Sequence, residues 1–176
     1  MRISYKKVSQ PAKDHSRKTI LINDQTYKER HKKVLKNMKD FGISTLVIYA
    51  DKEHGSNFEY LTGFIPRFEE ALQIFTLDGS STLILGNENY NKTKYARVKS
   101  EGLLLPLFSL PNQPMNNFKP FVEYLKDIKI DTSGKIGFVD WKLLSLEFEN
   151  EGLITATPHF VVDAFVDLFG KEKLVN

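Results

Sequence analysis

Asp51, Lys52, Glu53 and His54 stand consecutively in the chain, and two carboxylates with an imidazole are donor types that can hold a divalent cation. They follow Ser44 to Ala50 (STLVIYA), a nearly continuous apolar run with β-branched residues that predicts a strand buried on both faces. Ligands of open α/β sheets favour the carboxyl ends of strands, so the position suits a site, with Asp140 at the end of the run Lys135 to Val139 as its neighbour. Spacing alone fits a charged turn better, because Asp and Asn commonly terminate strands. A second cluster, Arg67-Phe68-Glu69-Glu70, follows Pro66. Its guanidinium can orient an anion in a bidentate contact or form a surface ion pair. Phe64 and Phe68 add apolar surface beside these charges, a combination typical of interfaces. A third cluster, Tyr90, Tyr95 and Arg97, reads as a cover for a sheet rather than a stack for bases.

Composition narrows the chemistry. The 176 residues are 41% hydrophobic and 27% charged, enough for one globular domain and its core. Cysteine is absent, which removes disulfides, thiolate metal sites and cysteine nucleophiles. Phosphate-loop, G-x-G-x-x-G, H-E-x-x-H and G-x-S-x-G signatures are absent too. No apolar run approaches the roughly 18 residues of a membrane helix, and no secretory stretch follows Met1, so a soluble, cytoplasmic protein is expected. Residues 1–40 hold twelve Lys or Arg against four Asp or Glu, and the remainder thirteen against eighteen. Much of that basic block lies on the outer face of a helix, and no aromatic pattern of a nucleic-acid module accompanies it.

The elements that would position these residues alternate. Residues 1–17 form a basic, aperiodic arm, and residues 18–176 form a single α/β domain that opens with a short strand at Lys18 to Asn23. A helix from Thr26 to Phe41 places Tyr27, His31, Val34, Leu35, Met38 and Phe41 on one face, with Thr26 and Glu29 as a capping box and Gly42 as its stop. Ser56 and Glu59 repeat that spacing before a short helix, Asn57 to Thr62, closed by Gly63. Ala71 to Leu77 and Thr82 to Leu85 flank Asp78-Gly79, a hairpin signal. Further expectations are a helix over Glu88 to Val98, an edge strand over Leu103 to Phe108, and a helix capped by Asn117 with Pro120 in its first turn. A strand over Lys135 to Asp140, a helix over Leu143 to Glu151, a strand over His159 to Val162 and a final helix over Asp163 to Phe169 follow. The implied fold is α/β, a mixed, mostly parallel sheet with helices on both faces and one antiparallel hairpin.

The run Asn57-Phe58-Glu59-Tyr60-Leu61-Thr62-Gly63-Phe64, preceded by LVIYA and followed by an aromatic-rich strand and the D-G hairpin, resembles the amino-terminal domain of the creatinase, prolidase and Xaa-Pro aminopeptidase family. Tyr27-x-x-Arg30 and Lys135-Ile136-Gly137-Phe138-Val139-Asp140 are similar to further landmarks of that domain. The resemblance, over roughly residues 20–165, implies a fold similar in outline to ribonuclease H. It also implies a non-catalytic role in subunit association and in shaping a substrate site. The family's chemistry, hydrolysis of Xaa-Pro peptides or small amides with two divalent metals (Mn, Co or Zn), belongs to a carboxy-terminal metallopeptidase domain that nothing in this sequence matches. The chain itself is therefore expected to hold no catalytic residue, metal or cofactor. Its expected partners are that catalytic domain and further copies of itself, with neither nucleic acid nor membrane. His54 and Arg67, with Phe64 and Phe68, are the candidates to face substrate or partner. The alternatives are a stand-alone binding or scaffold relative without the catalytic domain, and a metal-dependent nuclease built on Asp51 and Asp140.

Overall fold

The structure, a computed structural model, describes residues 3–12, 21–115, 118–142 and 153–176. Strand β1 (Ile43–Ala50) is the centre of the sheet. Its alternate residues supply two cores. Leu46, Ile48 and Ala50 face one side, while Val47 faces the other, and the cross-strand register carries this division outward. On one flank β1 pairs antiparallel with β2 (Ala71–Thr76), opposing Leu46 to Phe75 and Val47 to Ile74. β2 turns back through Asp78-Gly79 into β3 (Ser81–Leu85), and β4 (Glu101–Leu104) lies parallel to β3. On the other flank β5 (Lys135–Val139) runs parallel to β1, and β6 (Leu174–Val175) runs parallel to β5. The sheet order is β4-β3-β2-β1-β5-β6, so three of its five strand contacts are parallel.

Helices α1 (Asp24–Asp40) and α2 (Ser56–Thr62) cover the face of Leu46 and Ile48; α3 (Phe121–Lys126) and α4 (His159–Phe169) cover the face of Val47. The mixed sheet with helices on both faces thus stands as expected. α1 and α2 are tied by the Arg30 guanidinium, which donates to the Tyr60 carbonyl at 3.2 Å and lies over the Tyr27 and Tyr60 rings. His31 Nε2 reaches the Leu61 carbonyl at 3.1 Å. Arg97 lies on the same Tyr27 ring and pairs with Asp24.

Several local expectations are corrected. Neither capping box forms: Asn23 caps α1 by accepting from Thr26 N at 2.8 Å, which starts the helix two residues early, and α2 follows Gly55 with no side-chain cap. The helix expected over Glu88 to Val98 shrinks to a 3₁₀ turn, Tyr90–Tyr95, because the Glu88 and Asn89 amides are consumed by the Glu69 carboxylate. Leu103 to Phe108 divides into β4 and a 3₁₀ turn at Pro106–Phe108, since Pro106 cannot donate to a ladder. The strand expected over His159 to Val162 is the first turn of α4, whose buried residues Val161, Ala164 and Phe165 follow helical spacing; the β-branched pair Val161-Val162 had concealed that period. Strand β6, two residues long, was not expected. No strand forms at 21–23, and residues 18–20, Asn117 and the helix expected over 143–151 lie outside the described residues.

Gly63 closes α2 at φ 84°, and a Cβ there would collide with the Arg97 side chain and approach the Tyr27 hydroxyl at 3.2 Å. Left-handed backbone and crowding act together, so Gly63→Ala should lower stability by about 1 kcal/mol or more, measured as a urea midpoint shift at constant slope. An unchanged midpoint would mean that the Arg97 and Tyr27 stack is looser than described.

Candidate functional site

Loops 51–55, 63–70, 86–89 and 140–142 gather at the carboxyl ends of β1, β3 and β5, because β2 enters the sheet where β1 leaves it. The first loop is built on Asp51. Its Oδ1 accepts the backbone amides of Glu53 and His54 at 2.9 and 2.7 Å, and its Oδ2 lies 3.0 Å from His54 Nδ1. An ionised carboxylate can only accept, so Nδ1 carries the proton and Nε2 of the neutral ring is the free acceptor. The imidazole stacks on Trp141 with ring centroids 4.1 Å apart. Burial works against the charge of Asp51, but the hydrogen bonds from the His54 ring, the His54 amide and the Glu53 amide outweigh it and hold the carboxyl below its ordinary value.

The second loop is organised by a carboxylate turned inward. Glu69 is 4% exposed, and it accepts from Glu88 N at 3.0 Å, Asn89 N at 3.1 Å and Asn89 Nδ2 at 2.9 Å. Asn89, fully buried, also accepts from Arg67 N at 3.0 Å and donates to Arg67 O at 3.1 Å, as a neighbouring strand would. Gly86 makes room for the carboxylate: a Cβ there would sit 2.7 Å from Glu69 Cδ and 2.8 Å from the Phe108 carbonyl oxygen. Glu70 is engaged as well, accepting from Tyr49 Oη at 2.5 Å. Burial first, and then that hydrogen bond and the charge of Glu70, push the Tyr49 hydroxyl far above its ordinary value. Phe64 packs edge to face on Phe58 at 5.3 Å and is partly buried, while Phe68 is half exposed at φ 66°.

Residues 30–151 match the Creatinase/Prolidase N-terminal domain family. The chain belongs to that family. In the solved structures its fold resembles Dipeptidase PepE from Mycobacterium ulcerans, at 13% identity and TM-score 0.53 over 88% of this chain and 35% of that one. It also resembles a proline dipeptidase from Streptococcus pneumoniae, at 11% identity and TM-score 0.51 over 83% of this chain and 89% of that one. A prolidase from Thermococcus sibiricus is 20% identical with TM-score 0.48, over 85% of this chain and 33% of that one. The chain thus spans about a third of the length of the Thermococcus and Mycobacterium proteins. No curated protein matches it.

In this creatinase/prolidase N-terminal domain, His54, Arg67, Phe64 and Phe68 come to one edge of the sheet, as do Asp51 and Asp140. The two aspartates do not combine into a metal centre. Asp51 is spent on His54 and two amides, and Asp140 accepts from Thr155 Oγ1 at 2.8 Å and Ala156 N at 2.9 Å. Among the described residues no three His, Asp or Glu side chains are grouped to hold a metal ion. Sequence reasoning missed Asn89 and Trp141; neither carries a local pattern, and both act across loops distant in the chain. The surface ion pair considered for Arg67 is also absent among the described residues, because Glu69 points inward and Glu70 accepts from Tyr49.

Two expectations follow. Glu69→Ala removes the shared acceptor of three donors and should cost about 1–3 kcal/mol, whereas Arg67→Ala, whose guanidinium makes no hydrogen bond among the described residues, should stay within about 0.5 kcal/mol. Parallel urea unfolding compares them, and a larger loss for Arg67→Ala contradicts the assignment. Because the Asp51 carboxyl is depressed in the folded state, its contribution is present above about pH 4 and fades as pH falls through the folded value. Asp51→Asn should therefore reduce stability by about 1 kcal/mol or less at pH 7, with the gap narrowing on acidification in pH-dependent thermal unfolding.

Proposed function

We propose that the chain is a non-catalytic domain of an Xaa-Pro peptidase of the aminopeptidase P or prolidase type, and that it serves subunit association and shapes a substrate site. The observation that carries this reading is the single edge on which His54, Phe64, Arg67 and Phe68 are assembled by loops of family-type topology. Hydrolysis is the work of a separate metallopeptidase domain with two divalent metals. This domain's part is to present a directed imidazole, a guanidinium and aromatic surface to a neighbouring subunit or its peptide substrate. The His54 ring, fixed by Asp51 and stacked on Trp141, can accept a proton or hydrogen bond through Nε2.

Ile65 and Phe68, 37% and 51% exposed, supply apolar contact surface beside Arg67. Among the described residues no helix is long and apolar enough to cross a membrane. The protein works in the cytoplasm, as a homo-oligomer.

The test uses the chain alone. With added manganese or cobalt it should not turn over Xaa-Pro dipeptides; turnover abolished by Asp51→Ala or Asp140→Ala would overturn the reading in favour of a metal site. In sedimentation velocity the chain should self-associate weakly, and Phe68→Ser should reduce that association. A strictly monomeric chain at high concentration would count against the subunit-contact role.

A further inference from the structure

The segment Arg67 to Glu70 brings one guanidinium and two carboxylates to the same edge, yet the charges do not neutralise one another. Glu69 is consumed by backbone and amide donors, and Glu70 by the Tyr49 hydroxyl. Within the segment what remains outside is the Arg67 cation, with Glu53 and Glu88 exposed on the neighbouring loops. The Phe68 ring carries the Arg67 guanidinium at 4.9 Å and the Lys52 ammonium at 5.4 Å, and the Phe64 ring carries the Lys92 ammonium at 6.0 Å. None of the three makes an ion pair among the described residues. In contrast, Lys36, Arg97, Lys119, Lys126 and Lys129 each meet a carboxylate.

Bringing these like charges together costs free energy, and its mark is visible on Lys92. Burial, and then the charge of Arg67, lower its ammonium below the ordinary lysine value despite the opposing fields of Glu69 and Glu88. The backbone adds a second cost. Phe68 holds φ 66°, a region few non-glycine residues adopt, and its exposed ring gains little burial in return. The conformation is imposed from beneath, by Asn89 bridging both backbone groups of Arg67 and by Glu69 locked over Gly86. Strain held in this way at a surface tip is the pattern of a preorganised contact.

We propose that the Arg67–Phe68 tip, with Lys52 and Lys92, is a preformed docking site for a carboxylate-rich segment of another polypeptide chain. Carboxylates of that segment meet the three cations, and its aliphatic stems lie along the phenyl rings. A nucleic acid fits less well, because the ring on which a base would stack already carries a guanidinium and an ammonium. The inference deepens the partner-facing reading of this loop by naming the partner's chemistry. Its test is separate from turnover and self-association.

The probe is hexaglutamate, titrated into the chain by isothermal calorimetry at low salt. Saturable binding is expected, weakened about fivefold or more by Arg67→Ala, by Lys92→Ala and by roughly 0.2 M salt. Lys129→Ala, which removes the same charge from a distant ion pair, should leave binding unchanged. Asn89→Ser, which keeps all three cations but frees the tip, should also weaken binding. Arg67→Ala keeps the test decisive if Asn89→Ser fails to fold, because its guanidinium supports no hydrogen bond among the described residues. The proposal is overturned by absence of saturable binding, by an equal effect of Lys129→Ala, or by tighter binding of citrate or of an oligothymidine than of hexaglutamate. Loss of the docking site on these grounds would leave the accessory-domain reading standing.

Discussion

Everything at the candidate edge hangs from one strand buried on both faces. β1 has neighbours on either side and helices above and below, so its backbone groups are paired in the ladder and its side chains are removed from water. The antiparallel partner β2 begins where β1 ends, and the parallel partner β5 ends beside it. Three loops therefore emerge at one place without any local signal directing them there. A register slip of one residue would exchange the two cores and scatter those loops, which is why the alternation of Leu46, Val47 and Ile48 matters more than any single contact.

Below that level the edge depends on a buried carboxylate used as a scaffold. Glu69 makes no ion pair among the described residues; its charge is met by three N–H donors from the next turn of chain. Such an arrangement fixes geometry more sharply than an exposed ion pair, because all three bonds to the carboxylate are lost together if it moves. It also separates the two roles of the acidic and basic residues in Arg67 to Glu70. The acids hold the loop from inside and the base is displayed.

Much of this was legible in the sequence. β1, β2, β3 and β5 announced themselves through β-branched and aromatic runs, and Asp78-Gly79 through its turn chemistry. The family resemblance rested on residues that prove structural: Tyr27, Arg30, Tyr60 and Gly63 join α1 to α2 rather than facing a ligand. The failures have a common cause, which is tertiary hydrogen bonding overriding local pattern. The Glu88 to Val98 helix lost its first amides to Glu69, and α2 did without the cap its sequence offered. Asn89 could not be found from spacing, since its partners lie 20 and 22 residues away.

The chain contains a single tryptophan, and it stacks on the one imidazole that Asp51 orients. Emission excited at the indole rather than at the seven tyrosines therefore arises from a ring in contact with His54. The domain thus comes with its own optical sensor at the edge where a partner would arrive, and a change in emission marks an event at that edge without any label.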